Sequence, residues 1–157
     1  MDALADAFSS PYISVLEVEA RLVTAAVLGA LIGFDRELKD KPVGMRPYMV
    51  VSIGAAGFGI LSMEIWTQLS DATDGAALDP IRAVQGIIGG IGFLGAGAII
   101  RQGDGAIQGA TTGAGIWLAG CIGMASGLGS YILAMSLTLI ALFILVVIGW
   151  LHQRLSG

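Results

Sequence analysis

The fold of this protein is decided by residues 105–153, which read GAIQGATTGAGIWLAGCIGMASGLGSYILAMSLTLIALFILVVIGWLHQ and contain no Asp, Glu, Lys or Arg. A helix needs about 20 apolar residues to cross a hydrocarbon core of roughly 30 Å. The run is too long for one crossing and fits two, with a turn at residues 127–130, which read GLGS. We predict two membrane-spanning helices here, at residues 108–126 and 131–151.

The rest of the chain has the same apolar character. Of its 157 residues, 55% are hydrophobic, 13% are charged and 24 are glycine. A soluble domain carries roughly a quarter charged residues and about 7% glycine, so the composition excludes a soluble globular domain and a disordered chain. The 8 basic residues stand against 12 acidic ones, which argues against nucleic-acid binding. The single cysteine allows neither an internal disulfide nor a CxxC metal site.

Three further helices follow from the spacing of the charges. Uncharged runs occupy residues 22–34, 47–63 and 83–100. The first run is short for a span, so Arg21, with Glu17 and Glu19 near it, is expected at or inside the membrane boundary. We predict these helices at residues 16–36, 46–66 and 82–101. The whole chain, residues 1–157, is then one all-α transmembrane domain, a compact bundle of about five helices.

Lysine and arginine collect in alternate connections, and this bias orients the bundle. If the connections after the first and third helices and the C-terminal tail face the cytoplasm, six of the eight basic residues lie inside. We therefore predict an N-terminus outside the membrane and a C-terminus in the cytoplasm. The basic residues on the cytoplasmic side are Arg36, Lys39, Lys41, Arg46, Arg101 and Arg154.

Glycines recur at helical spacing and predict close contacts between helices, because membrane helices associate through small residues. The third helix is the richest in glycine. We expect its glycines to pack against neighbouring helices; the alternative is a helix that bends or unwinds and offers carbonyl groups to an ion. The expected packing residues are Gly29, Gly33, Gly86, Gly90, Gly92, Gly95, Gly97 and Gly123.

Ionisable groups near a bilayer are costly, so each is expected to have a partner or a function. Glu17 and Arg21 have the spacing of a helical ion pair. Asp79 is expected to cap the third helix, with Pro80 at its first position.

Arg82 and Gln85 lie in the first turns of the same helix. We expect Arg82 to meet Glu17, Glu19 or Glu64 at the outer boundary. Gln85, one turn further in, is expected to be buried and to form an interhelical hydrogen bond.

A mixed-charge connection covers residues 35–46 at the predicted cytoplasmic side. Two interpretations stay open: a solvated connection that only sets topology, or a network in which Asp35 and Arg46 fix the ends of the first two helices. Thr111 and Thr112, at the start of the fourth helix, either bond back to carbonyl groups of their own helix or line a polar cavity.

The sequence contains almost no residues that are suited to catalysis. The only histidine, His152, lies close to the C-terminus, and no His, Cys and carboxylate set has zinc spacing. We predict that the protein is not an enzyme and has no catalytic residues and no cofactor. A direct Mg²⁺ interaction is kept as an alternative, with Asp35 and Asp79 as candidate ligands.

Several motifs, in their order and spacing, resemble the MgtC/SapB family. The resemblance covers nearly the whole chain, from about Glu19 to Trp150. In chain order the motifs are LIGFDRE (31–37), KPVGMR (41–46), DPIR (79–82), GGIGFLGAGAIIR (89–101) and GATTGAGIW (109–117).

The resemblance implies a multi-pass protein of the bacterial inner membrane, linked to survival in low magnesium and to virulence. It further implies a regulator of other membrane proteins, such as the proton-translocating ATP synthase or transport systems. We expect its partners to be the lipid bilayer, other membrane proteins and a second copy of itself. The alternative is a transporter or channel for Mg²⁺ or another small ion or solute. Many members carry a soluble C-terminal domain, which we do not expect here because the sequence stops at Gly157.

The sequence departs from the family pattern at four positions. Asp35 stands where the family usually has Glu, and Pro47 replaces the usual Thr, which is expected to move the start of the second helix. Gly113 and Gly115 replace Ala and a small hydroxyl residue, which is expected to loosen the fourth helix.

Overall fold

The predicted all-α fold is confirmed. The computed structural model describes residues 13–72, 80–101 and 107–155, and nearly all of these residues are helical. The helices are α1 (Val15–Leu38), α2 (Met45–Ala72), α3 (Pro80–Gly97), α4 (Ala110–Gly127) and α5 (Tyr131–Phe143), which continues through a π-helical segment (Ile144–Ile148) into α6 (Gly149–Leu155). Two short strands, β1 (Ile100–Arg101) and β2 (Ile107–Gln108), lie between α3 and α4.

Local sequence explains where several of these helices begin and end. The Ser14 hydroxyl accepts a hydrogen bond of 3.2 Å from the Glu17 amide and so caps α1. The chain reverses after α1 at Asp40, whose φ of 49° is left-handed. Gly109 precedes α4 with φ 85°, and a side chain there would strike the Ala98 carbonyl group, so the position requires glycine.

The third helix differs most from its prediction. It ends at Gly97 instead of residue 101, because Ile100 and Arg101 leave the helix and pair in antiparallel fashion with Gln108 and Ile107. Strand pairing gives these backbone groups partners that a frayed helix end would lack. From Pro80 to Gly97 the helix is uninterrupted, so the alternative of a helix unwound in its middle is wrong.

The bundle is built around α4. This helix contacts α1, α2, α3 and α5, and most of its residues from Thr112 to Gly127 are buried. Helix α1 packs against α2 as well. The core side chains include Leu28, Ile32, Tyr48, Ile116, Ala119, Ile122 and Ala125.

Several glycines lie where two helices approach each other closely. A Cβ atom on Gly29 would lie 2.9 Å from the Ser52 Cβ, and one on Gly95 would lie 2.9 Å from the Gly113 carbonyl oxygen. A Cβ on Gly33 would lie 2.6 Å from the Met45 Cα. Gly123 lies directly against the backbone of Ser52, with no room for any side chain.

Other glycines do not have the packing role that the sequence predicts. A Cβ atom on Gly86, Gly90, Gly92 or Gly97 would meet no neighbouring atom within 4 Å among the described residues. The expectation that these four glycines pack against neighbouring helices of the same chain is therefore wrong. They lie on faces of α3 that the other described helices leave uncovered.

The two glycines that depart from the family pattern are close to neighbouring groups. Gly113 lies against Gly95 of α3, and Gly115 lies against the Tyr48 hydroxyl group of α2. Side chains at these positions would push the helices apart. The close approach at both glycines does not itself test the expected loosening of α4, which stays a prediction.

Two helices have the length and composition to cross a membrane, at Met45–Leu69 and Tyr131–Leu151. A third apolar stretch, Val84–Gly97, is shorter. Large apolar side chains on the outside of the bundle are common; Phe93 and Ile132, for example, are each 80% exposed.

Candidate functional site

Buried and half-buried charges lie at two opposite ends of α1. At the first, the Arg21 end, Arg21 forms the predicted ion pair with Glu17, one turn before it. Its Nη1 atom also donates a hydrogen bond of 2.7 Å to the Gly127 carbonyl oxygen, at the end of α4. Glu64 of α2 lines the same small cavity, of about 120 Å³. The Arg21 end thus ties α1 to the turn between α4 and α5.

The other residues predicted for this end have different outcomes. Arg82 is exposed, and the ion pairs of the described residues do not join it to Glu17 or Glu19, so of the three alternatives only a contact with Glu64 stays a prediction. Gln85 is exposed on α3 and is not the buried group that we expected. Pro80 is the first residue of α3, as predicted, whereas its expected cap, Asp79, lies outside the described residues.

The second cluster, the Arg36 end, joins α1 to two other parts of the fold. Asp35 is 8% exposed and its Oδ1 atom lies 2.7 Å from the Lys39 Nζ atom, one turn later. Lys39 also donates a hydrogen bond of 2.8 Å to the Leu145 carbonyl oxygen, within the π-helical segment after α5. The other Asp35 oxygen, Oδ2, is buried with no hydrogen-bond partner among the described residues.

Arg36 is the most deeply buried charge of this end. It is 6% exposed, and its Nη2 atom donates a hydrogen bond of 3.0 Å to the Thr112 hydroxyl oxygen of α4. Its Nε atom has no hydrogen-bond partner within the described part of the chain. The Tyr48 hydroxyl group donates to the Thr112 backbone carbonyl oxygen at 3.4 Å. Three helices therefore meet at Thr112.

A polar cavity of about 520 Å³ opens beside Arg36. We call it the Arg36 pocket; its lining includes Arg36, Asp40, Lys41, Gln108, Thr111 and Thr112. Both threonines belong to the described lining of this cavity, in keeping with the second of the two interpretations. Thr112 is bonded to Arg36, and Thr111 is exposed at the cavity wall.

The proposed network of Asp35 and Arg46 has different members. Arg46 is exposed, and the start of α2 is held by Glu37, whose Oε2 atom accepts a hydrogen bond of 2.8 Å from the Met45 amide. Asp35 pairs with Lys39 instead. The spacing of Asp35 and Lys39, four residues apart, could have revealed this pair, whereas the contact of Glu37 depends on the turn between two helices.

Two further predicted site residues are Arg101 and Glu19. Arg101 is the second residue of β1. Glu19 is exposed on α1. For a metal, the described residues contain no group of three His, Cys, Asp or Glu side chains. Asp35 faces a lysine and Asp79 lies outside the described residues, so direct Mg²⁺ binding stays a prediction.

An apolar groove of about 680 Å³ runs between α2 and α3. We call it the α2–α3 groove. Glycine lines it from both helices, with Gly54 on α2 and Gly86 and Gly90 on α3. Phe58 and Leu94 are among its large apolar side chains, at 59% and 55% exposure. This groove and the Arg36 pocket are lined by different residues.

Comparisons with known proteins point to one family. The MgtC family matches residues 22–154. The chain is 32% identical to protein SapB of Bacillus subtilis, covering 89% of this chain and 60% of SapB. It is 36% identical to protein MgtC of Salmonella typhimurium, covering 86% of this chain and 54% of that protein.

A third relative is YhiD of Escherichia coli, which is named as a candidate magnesium transporter. It is 34% identical, over 87% of this chain and 63% of YhiD. The chain thus spans about three fifths of the length of SapB, of YhiD and of a relative from Haemophilus influenzae. No solved structure matches it.

Proposed function

Since the chain belongs to the MgtC family, we propose that it regulates other membrane proteins by binding a transmembrane helix of its partner in the α2–α3 groove. The family is one of membrane proteins, and the names of relatives connect it with magnesium. Partners of the expected kind are the ATP synthase and transport systems. In this proposal the protein is not an enzyme.

The proposed setting is the bacterial inner membrane, crossed by five closely packed helices with the N-terminus outside and the C-terminus in the cytoplasm. The position of the charges supports it, because Arg21 and Arg36 contact opposite ends of α4, at Gly127 and Thr112. Between these ends the outer faces are apolar. A soluble protein would not expose so many large apolar side chains.

The glycine lining of the α2–α3 groove is the observation that carries the proposal. Side chains added at Gly54, Gly86 or Gly90 would meet nothing, so the groove leaves the backbone open to an incoming helix. Membrane helices associate through such small residues. Of the described residues that line the groove, Ser62 has the only polar side chain, and it already donates to the Gly59 carbonyl oxygen at 2.9 Å. The groove therefore suits an apolar helix.

A transporter is the second candidate, supported by the polar Arg36 pocket and by the name of YhiD. The interior between the two charged ends weighs against it. Ala25, Leu28, Ala119 and Ile122 fill that interior, and the buried Ser126 hydroxyl is bonded to the Ile122 carbonyl oxygen of its own helix. An ion would find few polar groups along the described part of this route.

Co-purification from native membranes tests the regulator. Gly86→Leu and Gly90→Leu should each remove the partner, because the new side chain fills the groove. The matched control is Gly89→Leu, an exposed glycine of the same helix that does not line the groove. Substitutions at Gly29 or Gly123 would be unsuitable, since those residues contact other helices of the same chain. Recovery of the partner with both groove variants would reject the proposal.

A flux assay separates the regulator from the transporter. Purified protein in liposomes should pass no more Mg²⁺, H⁺ or K⁺ than empty vesicles do. Flux in the wild type that is lost in Thr112→Val, which keeps the side-chain volume but removes the hydroxyl beside Arg36, would favour the transporter.

A further inference from the structure

We propose that the Arg36 pocket binds a phosphate-type oxyanion, supplied either by a phospholipid head group or by free phosphate. The starting point is an uncompensated charge. Arg36 is 94% buried, and no carboxylate forms an ion pair with it among the described residues, where the ion pairs join Arg21 to Glu17 and Lys39 to Asp35. A buried charge without a counter-charge is strongly destabilising, so an anion beside Arg36 would stabilise the fold.

The guanidinium group has donors to spare. Thr112 accepts a hydrogen bond from Nη2, and Nε is buried without a partner in the described part of the chain. Arginine binds phosphate through two parallel N–H groups, which gives both affinity and orientation. Arg36 lines the pocket, so an oxyanion that enters it would lie beside the guanidinium group.

The start of α4 adds a second, independent attraction for an anion. The helix has 18 residues and begins at Ala110, after Gly109, which has no side chain and therefore provides no side-chain cap. The first amide groups of a helix have no partner within the helix and carry a partial positive charge. Anions bind at such helix ends. Here the helix start and Arg36 line the same cavity.

Other side chains of the wall complete the site. Lys41 and Thr111 are exposed within it, and they offer an ammonium group and a hydroxyl group. Asp40 is the carboxylate of the described lining, and it is exposed at the rim of the turn after α1. Among the described lining residues, Arg36 and Lys41 stand against Asp40, and this balance of charge favours an anion. Among the described residues, the site shares no lining residue with the α2–α3 groove, and it does not depend on the proposed function.

Thermal unfolding of the purified, lipid-depleted full chain in detergent tests the site. One arm adds inorganic phosphate and compares it with chloride at equal ionic strength. The other adds phosphatidylglycerol and compares it with phosphatidylcholine. We expect a higher unfolding temperature in at least one arm. An effect of phosphate alone assigns free phosphate, and an effect of phosphatidylglycerol alone assigns the lipid head group.

Variants at the rim of the pocket make the test specific. Lys41→Gln and Thr111→Val alter exposed groups. Each should raise about tenfold the ligand concentration that is needed for the same rise in unfolding temperature, which is the effect of one lost hydrogen bond to a charged group. Arg46 is an exposed basic residue outside the pocket, so Arg46→Gln should leave the stabilisation by the anion unchanged. The site is rejected if neither arm stabilises the protein, or if Arg46→Gln weakens the effect as much as Lys41→Gln.

Arg36 itself is tested by two substitutions, because Arg36→Gln is expected to change the folding as well. Arg36→Lys keeps the charge but loses the planar donor edge, so the protein should fold and bind the anion more weakly. Unchanged stabilisation by the anion in folded Arg36→Lys and Arg36→Gln would also reject the site.

Discussion

Helices α3 and α4 are both rich in glycine, yet they use it in opposite ways. The glycines of α4 at 113, 115, 120, 123 and 127 all lie against groups of neighbouring helices. In α3, Gly95 alone has such a neighbour among the described residues, and positions 86, 89, 90, 92 and 97 are open. A glycine-rich sequence therefore identifies a helix that permits close approach, but not whether the approaching group belongs to the same chain.

The largest change in the free energy of unfolding should come from adding a methyl group to the buried helix α4. Gly123→Ala and Gly127→Ala would place a Cβ atom against the backbones of Ser52 and Ala56, which cannot move aside as a side chain can. We expect each to lower the free energy of unfolding by about 3 kcal/mol, at the upper end of overpacking costs. Reversible unfolding in mixed micelles measures this, with Gly89→Ala as the control. A free energy of unfolding for either variant that is as high as that of Gly89→Ala would break the comparison.

An intermediate effect is expected where α4 meets α3. A Cβ atom on Gly120 would contact the tip of the Ile91 side chain, which can change rotamer. Gly120→Ala should cost about 1 kcal/mol, and Ile91→Val, which removes the contacting methyl group, should restore most of it in the double variant. Equal losses with and without Ile91→Val would show that the two residues do not touch.

The smallest change in the free energy of unfolding is expected on the open side of α3, and it should have the opposite sign. Gly89→Ala and Gly92→Ala add a side chain to free space in an uninterrupted helix. Each should raise the free energy of unfolding by about 0.5–1 kcal/mol, because alanine favours the helix over glycine. A loss of stability similar to that of Gly123→Ala would mean that this face is packed within the chain.

These differences also explain what the sequence could predict. Uncharged runs and the GLGS turn located the helices, because a helix that crosses a bilayer must be long and apolar. The spacing of Glu17 and Arg21 predicted their ion pair. The strand pairing of Ile100 and Arg101, the burial of Tyr48 and the bond from Arg36 to Thr112 depend on which helices become neighbours. Periodicity gives the faces of a helix but not its neighbours, so Gln85 and four glycines of α3 were misassigned.

The most direct test of a partner helix at α3 is photo-crosslinking from two phenylalanine positions in native membranes. Phe58 lies in the α2–α3 groove at 59% exposure, and Phe93 lies on α3 outside the groove at 80% exposure. A photoreactive phenylalanine analogue at Phe58 should give a discrete adduct with another membrane protein, whereas the more exposed Phe93 should give little. A Phe58 adduct of twice the chain mass would identify a second copy as the occupant instead. Stronger crosslinking from Phe93 than from Phe58 would contradict the proposed role of the groove.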